Sequence, residues 1–218
     1  MNSVFTTLLF NNELKMFDEH WQRLITHAQY FNFFIPQKYT VLQDLNSKLL
    51  NITKPQRIRI SLFSDNYLIE LQDYILPSFK IYEGVSVVLS NILTHDQLGK
   101  FKTSNYLPYY LAYTQAQKLG FFEALLCNHQ GYVTDGSKSG ILLYKNNTLT
   151  VLQGGLDSIM RNKAINYAKS LNVDIDYTYL KPKELLGEIL LTNSLFGVVS
   201  VNKPQSELSK LIIKHCKP

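Results

Sequence analysis

The sequence lacks several features that would assign it to a specialised class of protein. Its two cysteines, Cys127 and Cys216, form no C-x-x-C pair, and no cysteine–histidine set has zinc-site spacing, which predicts two free thiols. No apolar run approaches the roughly 20 residues of a membrane-spanning helix. The first residues, MNSVFTTLLFNN, contain no positively charged segment and only a short apolar run, so they do not predict a signal peptide. These absences favour a cytoplasmic protein.

The chain also has little charge of one sign. Its 22 Lys and Arg residues against 17 Asp and Glu residues give a net charge of +5, and they form no basic run typical of nucleic-acid binding. This mild excess is compatible with an anionic small molecule. The 14 Tyr and 12 Phe residues can fill a core or line a pocket for a flat ligand.

Hydrophobic periodicity predicts a mixed α/β (α+β) fold. Residues 4–10 are β-branched and aromatic, as expected of a strand, and helical spacing follows from a predicted N-cap at Asp18. The residues 57–63 alternate like a strand with one exposed face. A composition shift near residues 91–99 predicts a small α/β domain over 1–95 and a larger domain over 96–218.

The segment KFKTSNYLPYY contains the strongest candidate for chemistry. Lys102 follows Phe101 and precedes Ser104, a predicted N-cap for a helix that ends near Gly120. Partial burial and a helix N-terminus both disfavour an ammonium group, so we expect a lowered pKa for Lys102. A neutral amine is suited to bonding with a carbonyl carbon. A solvated surface lysine is the alternative when the segment is taken alone.

Other segments offer groups that such a lysine needs. Asp135, in TDGSKSG, can pair with a protonated ring nitrogen or bind backbone amides of its own turn. The Gly154-Gly155 turn before a predicted helix, and the polar break at 192–194, offer amides and hydroxyls to an anion. Arg23 and Arg161 lie on predicted helices, where arginine is usually a surface charge.

The order of these pieces is more specific than any one of them. The chain contains FTT, HWQRL, KTSNY, TDGSKSGILL, GGLDSIMR and LLTNSLFGVVSV in that order. This resembles the class IV aminotransferase family of pyridoxal-phosphate enzymes, from about Val4 to Val201. The resemblance implies a two-domain fold, with a small N-terminal α/β domain and a larger barrel-like C-terminal domain. It also implies pyridoxal 5'-phosphate as cofactor and a homodimer acting on a small carboxylate substrate.

The resemblance assigns roles residue by residue. Lys102 matches the lysine that bonds covalently to the cofactor and later moves the substrate proton. Arg23 matches the arginine that binds the cofactor phosphate. Ile159 and Met160 match residues whose backbone amides bind the same phosphate, and Ser194 matches a hydroxyl residue that contacts it.

Two further positions would contact the cofactor ring. Asp135 matches the glutamate that pairs with the pyridine nitrogen, and Tyr106 lies where some relatives carry a tyrosine near the ring. The sequence also departs from the family pattern. It has Asp135 in place of glutamate, Gly140 in place of a frequent asparagine, and Ser158 in place of a small glycine. Relatives carry a further segment with a Gly-Asp-Gly turn ahead of the FTT strand, and its loss would leave a strand edge unpaired.

Within the family, the closest resemblance is to aminodeoxychorismate lyases. It rests on FTT, HWQRL, the K-T-S-N spacing and the IMR tripeptide. The implied reaction releases pyruvate from 4-amino-4-deoxychorismate and leaves 4-aminobenzoate for folate synthesis. An amino-acid transaminase of the branched-chain or D-amino-acid type is the alternative. A cofactor-binding relative with impaired catalysis is a further one.

Overall fold

The computed structural model describes residues 2–77 and 83–217, which form two compact units. The first unit contains residues 2–77 together with residues 101–105. The second unit contains residues 83–100 and 106–217. The chain therefore enters the second unit, returns to the first for five residues, and leaves it again. The domain boundary expected between residues 95 and 96 remains a prediction.

The first unit is an antiparallel sheet with two helices. The strands are ordered β2-β1-β3-β4, with the bounds β1 (Val4–Asn11), β2 (Glu13–Leu14), β3 (Gln56–Leu62) and β4 (Tyr67–Asp73). The helices are α1 (Phe17–Tyr30) and α2 (Lys38–Leu49). Their apolar positions pack with the sheet around fully buried Leu8, Leu24, Leu45 and Ile58. Burial of these side chains supplies the main stabilisation of the unit.

The second unit begins with a three-stranded sheet. Its order is β5-β6-β7, with the bounds β5 (Val87–Leu93), β6 (Glu123–Cys127) and β7 (Val133–Gly136). Strands β5 and β6 are parallel, so a crossover must join them. Helix α3 (Leu107–Lys118) lies in that crossover and packs on both strands. Buried Ala112, Ala116 and Leu126 fill the contact.

A five-stranded sheet completes the second unit. Its order is β10-β9-β8-β11-β12, with the bounds β8 (Gly140–Lys145), β9 (Thr148–Leu152), β10 (Asp174–Thr178), β11 (Glu188–Asn193) and β12 (Gly197–Ser200). Helices α4 (Ile159–Ser170) and α5 (Glu207–His215) contact its strands and each other. The short turn after β7 leads directly into β8, so one chain segment joins the two sheets.

Residues in the left-handed conformation follow helices α1 to α4, and the sequence predicts one of these residues, Gly120. Gly120 follows α3 with φ 81°, and Asn32, Asn51 and Asn172 follow α1, α2 and α4 with φ 54°, 69° and 58°. Glycine and asparagine adopt this conformation more readily than other residues. Two sequence-based expectations were wrong. Helix α1 begins at Phe17, one residue before its predicted cap. The segment KPKELLGE, for which the sequence predicts a helix, contains only a 3-10 turn over Pro182–Glu184.

The architecture is the mixed α/β class that periodicity predicts. Strand β1 pairs with β3 along one side. On its other side, Phe10 pairs with Leu14 at one end and Val4 pairs with Thr103 at the other. The edge therefore has partners within the described chain. Within residues 2–77 and 83–217, every helix is too short or too polar to cross a membrane.

Candidate active site

Lys102 lies where the five returning residues meet the start of β1. The Phe5 amide donates to the Lys102 carbonyl oxygen at 2.9 Å, and the Ser104 amide donates to the Ser3 carbonyl oxygen at 2.8 Å. A regular antiparallel ladder would direct the Lys102 amide back to Phe5. It donates instead to Nδ1 of buried His27, at 3.2 Å. An imidazole from α1 therefore ends the ladder at Lys102 and helps to fix its backbone.

The Lys102 side chain is placed against an aromatic face. Its Nζ lies 4.8 Å from the centroid of the Phe5 ring, and the Arg59 guanidinium carbon lies 3.9 Å from the same centroid. The negative face of an aromatic ring attracts a cation. Phe101, predicted to flank the lysine, stacks on Tyr30 with centroids 4.3 Å apart. The half-buried lysine thus shares an aromatic face with the Arg59 guanidinium.

Ser104 does not cap a helix, contrary to the sequence-based expectation. Its hydroxyl accepts from the Ser3 amide at 3.1 Å, and its own amide donates to the Ser3 carbonyl. Both bonds hold residues 103–104 extended against β1. Helix α3 begins later, at Leu107, with Tyr106 at its N-cap position.

Arg23 extends from α1 towards β1. Its Nη2 donates to the hydroxyl of Thr6 at 3.1 Å, and the same hydroxyl lies 2.7 Å from Nδ1 of His20. Thr6 and His20 are each 1% exposed. Burial lowers the pKa of His20 well below its usual value, and the positive charges of Arg23 and Lys102 lower it further. The Thr6 hydroxyl therefore connects Arg23 to an imidazole that stays neutral.

Asp135 lies on β7, in the second unit, and is 4% exposed. Its Oδ2 accepts from the Leu156 amide at 2.7 Å. A carbon at the Cβ position of Gly155 would lie 2.5 Å from Asp135 Cγ and 2.5 Å from the Thr134 carbonyl oxygen. Only glycine allows the loop to approach the carboxylate this closely. Asp135 thus binds the loop before α4.

Tyr106 belongs to an aromatic pair at the start of α3. Its ring stacks on Tyr109 with centroids 4.7 Å apart and planes 15° from parallel. Burial raises the pKa of Tyr109, and the negative charge of Asp135 raises it further. The Tyr109 hydroxyl therefore stays protonated.

The start of α4 presents two backbone amides. Ser158 is the N-cap, and its hydroxyl accepts from the Arg161 amide at 3.4 Å. The amides of Ile159 and Met160 donate to no acceptor among residues 2–77 and 83–217. Both residues are buried. A helix N-terminus with free amides binds anions.

Ser194 lies in the turn between β11 and β12, two residues after Thr192. The Thr192 hydroxyl donates to the Gly140 carbonyl at 3.2 Å and lies 3.5 Å from the Ser158 hydroxyl. A Cβ added at Gly140 would lie 2.9 Å from Ser158 Cβ. Gly140 and Ser158 are both departures from the family pattern. The Ser158 side chain lies in the space that a side chain at position 140 would need.

Two buried residues of the second unit were misread or missed in the sequence. Arg161, expected at the surface, is 6% exposed and donates to the carbonyls of Leu152 (3.4 Å) and Leu156 (2.9 Å), which fixes the loop before α4. Glu123 is 1% exposed, and its carboxylate accepts from the Ser139 hydroxyl at 2.7 Å and from the Ser139 amide at 2.8 Å. The TDGSKSG segment does not indicate by itself that its Ser139 binds Glu123.

Each unit, taken by itself, carries groups that suit pyridoxal 5'-phosphate. Free amides of Ile159 and Met160 suit a phosphate group, a buried carboxylate suits a pyridinium nitrogen, and Lys102 supplies an amine. In the first unit, hydrogen bonds connect Arg23 with His20 through Thr6, and the Lys102 amide with His27. In the second unit, contacts connect Asp135 with the loop before α4, and the Ser158–Thr192 contact connects α4 with the strand that leads to Ser194.

Comparison with known proteins gives the family. The profile of the family described as amino-transferase class IV matches residues 3–203. The chain belongs to the class IV aminotransferases. A curated relative, the "Probable branched-chain-amino-acid aminotransferase" of Aquifex aeolicus (strain VF5), is 29% identical over 209 residues, which cover 84% of this chain and 67% of the relative.

Solved structures agree with this assignment. A crystal structure named "Putative 4-amino-4-deoxychorismate lyase" is 35% identical and has a TM-score of 0.94, covering 99% of this chain and 90% of the other. A branched-chain amino acid aminotransferase structure from Thermotoga maritima, named as putative, shares the fold at 24% identity, with a TM-score of 0.86 and coverage of 98% and 84%. The predicted class IV fold is confirmed. Class IV aminotransferases are pyridoxal-phosphate enzymes, so the predicted cofactor and the enzymatic function are confirmed as well.

Proposed function

We propose that this class IV aminotransferase is a 4-amino-4-deoxychorismate lyase, which releases pyruvate and leaves 4-aminobenzoate. The observation that carries the choice of substrate is the 35% identity, over 99% of the chain, to the structure that bears the lyase name. The FTT and KTSN segments point the same way. The hydrogen bond that holds the Lys102 backbone, and the placement of its amine against the Phe5 ring, support the chemistry.

Lys102 is the proposed catalytic residue. Its Nζ takes the proton from the ring carbon that bears the substrate amine. It then returns a proton to the methylene carbon of the enolpyruvyl group while the ring carbon–oxygen bond breaks. The carbon–oxygen electrons leave with the pyruvate, and the ring becomes aromatic. One proton moves within the substrate, so no oxidant or reductant is needed.

The remaining candidate residues bind and orient. We propose that Arg23, the Ile159 and Met160 amides and the Ser194 hydroxyl bind the cofactor phosphate, since each offers a donor to an anion. Asp135 pairs with the ring nitrogen, and Tyr106 lies beside the ring. When bound, pyridoxal phosphate supplies an electron sink for the carbanion left by proton removal.

The short Asp135 side chain is held by the loop before α4. Its Oδ2 binds the Leu156 amide, and Gly155 gives the loop room to approach. We propose that this loop orients the other carboxylate oxygen towards the ring nitrogen. The missing methylene, relative to the family's glutamate, is then offset by a fixed carboxylate orientation.

An amino-acid transaminase is the second candidate. It is favoured by the 29% identity to the branched-chain-amino-acid aminotransferase of Aquifex aeolicus. Both candidates use the same lysine and cofactor, and they differ in the substrate that reaches the lysine. The third candidate binds the cofactor without turnover.

We also propose that the protein is a homodimer. Light scattering during gel filtration measures its molar mass and tests this proposal.

The first experiment compares wild type with Lys102→Ala and with the control Lys100→Ala, which removes an exposed lysine nearby. Wild type and the control should acquire a visible absorbance band with pyridoxal phosphate. Borohydride should then fix the cofactor on the peptide that contains Lys102. Lys102→Ala should show neither result. A persistent band in Lys102→Ala, or cofactor fixed on another lysine, would refute the proposed role of Lys102.

Substrate assays separate the three candidates. Release of pyruvate and 4-aminobenzoate from 4-amino-4-deoxychorismate, without turnover of branched-chain or D-amino acids, is the expected result. Conversion of the amino acids to oxo acids, without pyruvate release, would establish the transaminase. Cofactor fixed on Lys102 without turnover of either substrate class would establish the third candidate.

A further inference from the structure

Three polar side chains form one continuous row between α1 and β1. Arg23 Nη2 lies 3.1 Å from the Thr6 hydroxyl, and that hydroxyl lies 2.7 Å from His20 Nδ1. Thr6 and His20 are nearly inaccessible to solvent, at 1% exposure each. His20 Nε2 is also buried and has no hydrogen-bond partner among residues 2–77 and 83–217. A buried polar nitrogen without a hydrogen-bond partner costs free energy, so its presence here needs a reason.

The direction of each hydrogen bond follows from the charges. Arg23 is always a donor, so the Thr6 oxygen accepts from it. Burial and the neighbouring charges of Arg23 and Lys102 keep His20 neutral. A neutral imidazole has one acceptor nitrogen, and with its proton on Nε2 that acceptor is Nδ1. The Thr6 hydroxyl then donates its hydrogen to His20 while it accepts from Arg23, so every group in the row has a defined orientation.

We propose that Thr6 and His20 are positioning residues that hold the Arg23 guanidinium for the cofactor phosphate, and so make the enzyme select phosphorylated pyridoxal. The inference rests on the proposed phosphate-binding role of Arg23. It adds the reason why a long arginine side chain is ready in one orientation before the cofactor arrives.

Preorganisation gives the physical reason. A free arginine side chain has several rotatable bonds, and fixing them on binding weakens the affinity. The Thr6 hydroxyl fixes one nitrogen of the guanidinium in advance, and His20 fixes the hydroxyl rotor. Neither residue needs to touch the cofactor. A structural role alone would instead change the affinity for phosphorylated and unphosphorylated ligands by the same factor.

The test measures a ratio of affinities. Cofactor-free protein is titrated with pyridoxal 5'-phosphate and with 5'-deoxypyridoxal, which lacks the phosphate. The Kd for 5'-deoxypyridoxal divided by the Kd for pyridoxal 5'-phosphate is the ratio that reports the phosphate contribution. Thr6→Val removes the hydroxyl and keeps the shape, and it should reduce the ratio about tenfold. Thr6→Ser keeps the hydroxyl and should leave the ratio within about twofold. Arg23→Gln should reduce it by about a hundredfold or more.

The outcomes distinguish the phosphate-binding role of Arg23 from the positioning role of Thr6 and His20. An unchanged ratio in Arg23→Gln would refute the phosphate role of Arg23, and with it the proposed function of that residue. A reduced ratio in Arg23→Gln but not in Thr6→Val would leave that role standing and overturn the positioning role. Equal weakening of both ligands by Thr6→Val would also overturn it, because the effect would then be general.

His20→Leu tests the same proposal if Thr6→Val does not fold. His20→Leu removes the acceptor at the other end of the row, and it should reduce the ratio by a factor between those of Thr6→Ser and Thr6→Val. The melting curve of each cofactor-free protein shows whether it is folded. In the Arg23→Gln background, Thr6→Val and His20→Leu should change the ratio no further, since both act through Arg23. A further reduction in that background would contradict the proposal.

Discussion

The two units hold their candidate active-site residues by different kinds of contact. Around Lys102, helix α1 uses the polar side chains His20, Arg23 and His27, which bond to a hydroxyl and a backbone amide. Around α4, backbone amides and close approaches at Gly140 and Gly155 shape the site. The first region therefore depends on protonation and hydrogen bonding. The second depends on the absence of side-chain volume, so steric changes should have their largest effects there.

The largest expected effect is on the loop that binds Asp135. Gly155→Ala would place a methyl group 2.5 Å from Asp135 Cγ and 2.5 Å from the Thr134 carbonyl oxygen. Because both neighbours are buried, we expect the free energy of unfolding to fall by about 3 kcal/mol. Urea unfolding of the cofactor-free protein measures the change.

The matched control for this prediction is Gly99→Ala, in the same unit. Its added methyl would have no neighbour nearer than the Tyr109 hydroxyl oxygen, at 3.5 Å. We expect a change within about 0.5 kcal/mol. Equal effects of the two substitutions would show that close approach does not shape the loop before α4.

The next effect tests the space that Gly140 shares with Ser158. Gly140→Ala would place a carbon 2.9 Å from Ser158 Cβ and 3.0 Å from the Thr192 hydroxyl oxygen. The single substitution should reduce the free energy of unfolding by about 2 kcal/mol. In a Ser158→Gly background the same change should cost less than about 1 kcal/mol, since one neighbour is gone.

Ser158→Gly alone gives the reference for this cycle. It removes the N-cap hydroxyl of α4, and a serine-to-glycine change at a cap costs only a few tenths of a kcal/mol. Additive effects in the double variant, measured by urea unfolding, would mean that the two family departures are independent.

Much of this architecture follows from local patterns, because strands and helices have short periods. The spacing of Trp21, Leu24 and Ala28 predicted α1, and Gly120 predicted the end of α3. The site positions came from a resemblance in which Lys102 and Asp135 stand in family motifs. Their roles remain predictions.

Contacts between distant parts of the chain could not be predicted in the same way. The Ser104 hydroxyl looks like a helix cap until Ser3, 101 residues away, supplies a different donor. His27 and the Lys102 amide are 75 residues apart. Arg161 has the helical position of a surface charge, yet it binds carbonyls of the preceding loop. In each case a tertiary partner decides the role, and local sequence does not contain it.

In the first unit, removing the imidazole that ends the ladder should have a smaller effect on stability. His27→Phe keeps a ring beside Phe101 but leaves the Lys102 amide without this acceptor. The loss of one hydrogen bond should reduce the free energy of unfolding by about 1.5 kcal/mol. Because the lysine backbone is then less restricted, we expect kcat to fall about tenfold.

His27→Asn is the matched control, because an amide oxygen can accept near the position of Nδ1. We expect it to recover most of the activity that His27→Phe loses. The hydrogen-exchange rate of the Lys102 amide, followed by NMR in the cofactor-free protein, should rise in the Phe variant only. Unchanged exchange in that variant would mean that the imidazole does not hold the lysine backbone.

The smallest expected effect is the pH dependence that His20 adds. Its pKa is lowered in the folded protein by burial and by the charges of Arg23 and Lys102, so below pH 6.5 the unfolded chain binds more protons than the folded one. The stability is then complete above the ordinary histidine pKa and decreases as the pH falls. One such proton changes the free energy of unfolding by at most about 1.4 kcal/mol per pH unit.

His20→Asn should therefore flatten the decrease in stability between pH 6.5 and 5.5, whereas His129→Asn, which replaces an exposed histidine, should not. Burial raises the pKa of the Glu123 carboxyl group, and a raised pKa makes the folded protein bind more protons, which is an effect of opposite sign. Glu123 is present in wild type and both variants, so its contribution cancels when their slopes are compared. Equal slopes of stability against pH for all three proteins would mean that His20 gains a proton in the folded state as readily as in the unfolded chain. Any pH dependence of the stability of the first unit would then come from other groups.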